Sequence, residues 1–162
     1  MDNKLRLSFE YDLFNSEESL FDDWKLLLKK AREALDRAYS PYSNYKVGAA
    51  LLLDNGEIIT GSNQENAAFP SGLCAERVAF FSAGSDFPGI LINKAAVIAV
   101  KNTDQKLEVA APCGACRQVM LEYEIHQKKP IQILMAYKNS KFLVAPSIDS
   151  LVPFAFNKYN LK

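Results

Sequence analysis

A single-domain α-β-α sandwich, with a mixed five-stranded sheet and helices on both faces, is predicted by three features of this 162-residue chain. Segments of helical period alternate with segments of strand period along most of its length. An Asn-Gly pair joins two apolar runs and so calls for antiparallel neighbours, which makes the sheet mixed. Hydrophobic residues make up 49% of the chain, enough for one well-packed core at this length and too little chain for two.

Residues 1–15 show no clear period and read as an N-terminal arm, leaving 16–162 as the folded domain. Ser19, with Asp22 three residues on, carries a helix-capping pattern. Leu20, Trp24, Leu27, Leu28, Ala31, Leu35 and Ala38 then recur at helical spacing until Pro41 stops the helix. "VGAALLLDNGEIITGSN" at 47–63 reads as a hairpin whose two-residue turn takes positive backbone angles at Asn55 and Gly56. "CAERVAFFSAG" at 74–84 reads as a buried helix, "KAAVIAVKN" at 94–102 as a strand, and 113–125 as a second buried helix. "IQILMAY" and "KFLVAP", joined by "KNS", form a last strand pair, with room for a short helix in "SIDSLVPFAF".

Lysine plus arginine equals aspartate plus glutamate at 19 each, so no net charge attracts a polyanion, and no nucleic-acid partner is expected. The basic pair Lys128 and Lys129 reads as a solvated turn. The first 15 residues lack the apolar run of a signal peptide, and the longest apolar stretches, 47–53 and 95–100, are of strand length, far below the roughly 18 residues of a membrane span. No membrane association is expected, and the location expected is cytoplasmic. Three cysteines, two of them closely spaced, do not suit a disulfide framework and fit reduced thiols in a cytosol.

The chemistry rests on "APCGACRQVM" at 111–120. Pro112 stands where a helix begins, so Cys113 and Cys116 lie about a turn apart on one face, where exposed N–H groups favour thiolate. Cys74 opens the other buried helix in the same electrostatic setting. A redox pair would leave Cys74 and Glu76 without a role. A closed structural zinc would need His126, the lone histidine, as fourth ligand, yet it lies about 15 Å along a continuous helix from Cys116. An open zinc site with three protein ligands is the third reading, and Glu76 favours it. A carboxylate beside a buried metal is costly unless it serves as general base to a metal-activated water. Zinc deaminases carry such a glutamate two residues after the first ligand, followed by P-C-x-x-C, and accept three cysteines.

"CAER" at 74–77, "PCGACRQ" at 112–118, "YSPYSNYKVGAAL" at 39–51 and "GSNQENAAF" at 61–69 together resemble the small, homotetrameric class of cytidine deaminase, over roughly residues 22–156. The resemblance implies the cytidine deaminase fold, one Zn²⁺ per chain on Cys74, Cys113 and Cys116, and Glu76 as the acid/base residue. It implies hydrolysis of cytidine and deoxycytidine to the uridine nucleoside and ammonia, in pyrimidine salvage. Asn63 and Glu65 match the pair that hydrogen-bonds the sugar hydroxyl, so that a nucleoside rather than a free base is the substrate. Tyr45 matches an aromatic lining the pocket, Ala75 a substrate contact, and Phe156 a phenylalanine that reaches a neighbouring subunit's site. Three thiolates on Zn²⁺ leave a net negative charge that weakens it as a Lewis acid. Arg77 is the candidate to offset that charge through hydrogen bonds to sulfur, with Arg117 its competitor.

Three departures from the family pattern bear on loop shape and subunit contact: extra length between Cys74 and Cys113 near "SDFPG" and "NTDQKLE", Phe154 in place of a small residue, and Pro70 in place of glycine. The same fold also accommodates deamination of a nucleoside antibiotic, and a zinc-stapled binding module is the reading outside enzymology; an intact Glu76 disfavours the latter.

Overall fold

The computed structural model describes residues 4–101 and 106–161. Helix α1 (Asp22–Leu35) buries Trp24, Leu27, Leu28, Ala31, Ala34 and Leu35 along one stripe. Its N-cap is Phe21 rather than Ser19. The Ser19 hydroxyl donates instead to the Ser16 carbonyl at 2.7 Å, and Asp22 and Asp23 complement the helix dipole in the first turn.

Strands β2 (Tyr45–Leu53) and β3 (Ile58–Ser62) form the expected hairpin. The loop has three residues rather than two. Gly56 N–H donates to Leu53 O at 3.0 Å and Leu53 N–H to Glu57 O at 2.9 Å, closing a turn followed by a bulge. Only Gly56, at φ 87°, enters the left-handed region; Asn55 instead accepts from Glu57 N–H through its side chain.

Pairing register shows how the layers form. Gly48 lies opposite Ser62, and Ala49 opposite Gly61, so the two glycines face opposite sides of the sheet. A Cβ on Gly48 would lie 2.0 Å from the Ala31 carbonyl oxygen of α1, and one on Gly61 would lie 2.3 Å from the Ala75 carbonyl oxygen of α2 (Ala75–Asp86). Each glycine therefore lets a helix backbone approach its own face. Helix α3 (Gly114–Gln127) lies beside α2, with Phe80 and Tyr123 edge to face at 5.3 Å.

Among the described residues the sheet holds seven strands rather than five. With β1 (Asp12–Phe14), β4 (Ile92–Lys101), β5 (Leu107–Glu108), β6 (Gln132–Tyr137) and β7 (Lys141–Ala145), the order is β1-β7-β6-β4-β2-β3, and β5 pairs with β4. The two additional strands span three and two residues, too short to show a period, and each forms by pairing with a longer strand. Thus the segment read as an arm carries an edge strand on β7. The expected end of β4 at Asn102 and part of "NTDQKLE" fall outside the described residues. Among the strands of the described residues, β4 and β6 are the pair that runs parallel. The expected short helix is a 3-10 turn at Asp149–Leu151. No helix among the described residues is long and apolar enough to cross a membrane.

Glu124, buried on α3, accepts from the backbone N–H groups of Ile131 and Ile148 at 2.7 Å and Asp149 at 2.9 Å. Paired in this way, a buried carboxylate ties α3 to the start of β6 and to the C-terminal segment. Since an added methyl at Gly61 would collide with α2 backbone, Gly61→Ala should destabilise the protein by about 1–3 kcal/mol, the usual cost of overpacking. Gly114→Ala, where a Cβ meets nothing within 4 Å, should be nearly neutral. Denaturant midpoints of the two variants make the comparison.

Candidate active site

Helices α2 and α3 begin at one end of the sheet, and each is capped by a cysteine. Cys74 is the N-cap of α2 and Cys113 that of α3, both in extended backbone, and neither side chain makes a capping hydrogen bond. The first intrahelical bonds, from Val78 N–H to Cys74 O at 3.2 Å and from Arg117 N–H to Cys113 O at 3.0 Å, confirm both starts. Sulfur therefore stands where a cap oxygen would otherwise sit, at the positive end of each helix. Cys116 is three residues inside α3, and side chains at the N-cap and the third helical position naturally approach each other.

The three sulfurs converge. Cys113 Sγ lies 3.5 Å from Cys116 Sγ and 3.8 Å from Cys74 Sγ, and all three lie within 4.8 Å of one another. A tetrahedral ion with Zn–S bonds of about 2.3 Å sets its sulfurs about 3.8 Å apart, so the donor set fits zinc in chemistry and in spacing. His126 is exposed in the last turn of α3 and takes no part in the cluster.

Glu76 lies two residues into α2, only 4% exposed, and its Oε2 has no hydrogen-bond partner. Burial pushes its carboxyl above the usual range, and the neighbouring Cys74 charge adds to this. Arg77 donates to Gly72 O at 3.3 Å through Nη2, while its buried Nε is unpaired. Among the described residues these two are the buried side-chain polar atoms without a partner. Two such atoms beside one cluster mark a site built for a group that completes it.

Charge within the cluster is unevenly held. The Cys74 thiol is pushed down to about 5, first by its hydrogen bond with Cys116 and then by the Arg77 guanidinium and Cys113. Cys116 is pushed up by the same bond and by burial. Arg117 does not compete for this role: its Nε donates to Pro112 O at 2.8 Å and its Nη1 to Leu151 O at 3.2 Å.

The cluster opens into a cavity of about 740 Å³, a size common for small-molecule sites. Val47, Val97 and Ala99 form its floor; register puts all three on the face that receives α2. Asn63 follows β3 into the wall. Its Oδ1 accepts from Val47 N–H at 2.8 Å, and its Nδ2 donates to Tyr45 O at 2.9 Å. Glu65 lines the cavity beside it, one carboxylate oxygen accepting from the N–H groups of Tyr42 at 2.9 Å and Ser43 at 3.3 Å. The Ser43 bonds and that from Tyr42 hold its carboxyl below the usual range. Tyr45 also lines the cavity, and Tyr42 and Phe69 stand edge to face at 5.9 Å along it. Pro70 occupies the first turn of a 3-10 helix (Phe69–Ser71), where its fixed φ is suited.

Two expected site residues are not among those that line the cavity within the chain. Ala75 is fully buried and does not line the cavity. Phe156 is 59% exposed on the C-terminal segment, its carbonyl accepting from Gln118 Nε2 at 2.9 Å. The contacts that sequence reasoning missed are mostly backbone: the N–H groups of residues 42 and 43 and the wall at 109–111. Main-chain groups carry no residue-type signal.

The chain matches the cytidine and deoxycytidylate deaminase zinc-binding region over residues 22–129. It is 37% identical over 139 residues to a cytidine deaminase of Sporosarcina psychrophila, covering 86% of this chain and 95% of that one. Over 100 residues it is 43% identical to a cytidine deaminase of Halalkalibacterium halodurans, 62% of this chain and 71% of the relative. A crystal structure of cytidine deaminase from Burkholderia pseudomallei superposes with a TM-score of 0.69 at 38% identity, covering 82% and 98% of the two chains. Fold and thiol cluster thus place the chain among the zinc-binding deaminases. Within that class it belongs to the cytidine and deoxycytidylate deaminase family.

If the three sulfurs share one ion, Cys116→Ala should abolish binding of zinc, which elemental analysis would otherwise find at one per chain. The apo variant should also unfold at lower denaturant, because bound metal stabilises the fold that holds it. A variant retaining one zinc would assign the ligands elsewhere.

Proposed function

We propose that this chain catalyses hydrolytic deamination of cytidine and deoxycytidine to the corresponding uridine nucleoside and ammonia, serving pyrimidine salvage. The observation that carries the reading is Glu76: a buried carboxylate with an unpaired oxygen, beside three converging thiols and lining a nucleoside-sized cavity. Cys74, Cys113 and Cys116 would hold Zn²⁺, which supplies Lewis acidity that activates a water toward attack on C4 of the base.

Glu76 does the proton work. Its carboxylate takes the water's two protons in turn, passing the first to ring N3 and the second, from the hydroxyl formed at C4, to the departing amino group. The water's oxygen ends as the C4 carbonyl and its two hydrogens on N3 and ammonia. Burial raises this carboxyl above its ordinary value, which makes it a stronger base toward the water than a solvated carboxylate. Arg77 offsets the charge of the sulfurs from beside Cys74. Asn63 and Glu65 receive the sugar hydroxyls, the latter held in place by residues 42 and 43. Tyr45 flanks the base and sugar, and Ala75 serves through its backbone at the start of α2.

Phe154, 84% exposed, and Phe156 support a subunit contact through the C-terminal segment. On this reading the enzyme is a cytoplasmic homotetramer in which Phe156 reaches a neighbouring site. Neutral overall charge accords with a nucleoside substrate rather than a nucleic acid.

Glu76→Gln should retain zinc and fold while lowering kcat by at least about 10² to 10⁴, the scale of lost acid/base catalysis. Following the ultraviolet band of cytidine with zinc-assayed wild type and variant tests this directly. Near-normal turnover by the variant would remove Glu76 from the chemistry, and an inert, zinc-loaded wild type would move the substrate away from cytidine.

A further inference from the structure

One wall of the cavity is built from the segment that leads into α3, where Val109, Ala110 and Ala111 line the same space as Asn63 and Glu65. Its backbone is tied down at two points. Leu107 and Glu108 pair with Val100 and Ala99 of β4, and Ala110 N–H donates to Ala136 O at 3.1 Å. Between these ties Val109 is 43% exposed, and its carbonyl is met by the Tyr45 hydroxyl, which donates to it at 3.1 Å.

Tyr45 is itself held from behind. It is the first residue of β2, opposite Lys101 of β4, and its own carbonyl accepts from Asn63 Nδ2. Its ring lines the cavity while its hydroxyl reaches across to the wall. One side chain therefore links the strand that begins the site to the segment that closes it.

We propose that the Tyr45 hydroxyl is a latch that holds the 109–111 wall in its closed position before substrate arrives, making Tyr45 a positioning residue for nucleoside binding in addition to a surface of the cavity. The inference rests on the deaminase reading above. With the latch present, the wall is ordered in the free enzyme. Without it, the exposed span around Val109, between the two backbone ties, is fully ordered only when the nucleoside binds, and that cost falls equally on the ground state and the transition state. A uniform loss of this kind raises KM and leaves kcat largely alone.

Tyr45→Phe separates the hydroxyl from the ring. The expected result is a KM for cytidine raised about three- to tenfold, as for a wall closed a third to a tenth of the time, with kcat within about twofold and zinc content unchanged. Hydrogen exchange in a peptide spanning 106–112 should be faster in the free variant than in free wild type, and the difference should vanish when both are saturated with uridine. An unchanged KM with unchanged exchange would overturn the latch. So would a fall in kcat at constant KM, which would place the hydroxyl in the chemistry, or a loss of zinc, which would make it merely structural. Should wild type fail to consume cytidine, the deaminase reading fails, and the exchange rates of the two free proteins still decide whether the hydroxyl holds the wall.

Discussion

Gly61 lets the backbone of α2 lie directly on β3, closer than any side chain would permit, and the site depends on that approach. Placed there, the first turn of α2 sits at the same end of the sheet as the first turn of α3 and faces the same cavity. Two helix N-termini aimed at one point create a region where negative charge is favoured and where sulfur in the cap position is poised as thiolate. The α1 side uses the same device at Gly48, where the backbone of Ala31 comes close. Close packing is thus a property of the sheet, and the chemistry is confined to one face of it.

The electrostatics of the cluster balance opposing demands. Three thiols within 4.8 Å cannot all shed their protons without a cation among them, and accordingly one is pushed down and its neighbour up. Arg77 partly relieves this from the α2 side. Glu76, one residue earlier, lies in the same crowded field but is buried without a partner for one of its oxygens. A buried carboxylate oxygen without a protein partner is costly, and such tension is characteristic of groups that act on a ligand.

Helix α3 has two faces with different duties. Its first turn carries two of the three sulfurs, while Arg117, Gln118 and Glu124 bind the backbone of the C-terminal segment at Leu151, Phe156, Ile148 and Asp149. The segment that bears the exposed Phe154 and Phe156 is therefore fastened to the same helix that positions Cys113 and Cys116. Glu124 contrasts with Glu76. Both are buried, yet one has its carboxylate satisfied by three backbone donors and ties elements together, while the other has an oxygen left over and lines the cavity beside the sulfurs.

Much of this molecule was legible in the order of its residues. The three helices, the long strands and the approach of Cys113 to Cys116 could be read because each depends on local periodicity or on a spacing of three residues, which a helix turns directly into proximity. Asn63 and Glu65 were legible as candidates but not as a structure, because their hydrogen bonds run to main-chain groups some 16 to 23 residues away. Tertiary packing alone decided the short strands β1 and β5, the three-residue turn at Gly56, the engagement of Arg117 with the Pro112 and Leu151 carbonyls and the reach of the Tyr45 hydroxyl to Val109. Each of these depends on which distant backbone group arrives at a given point. Only the close-packed sheet and helices fix that, since a residue's type does not name its partner across the fold.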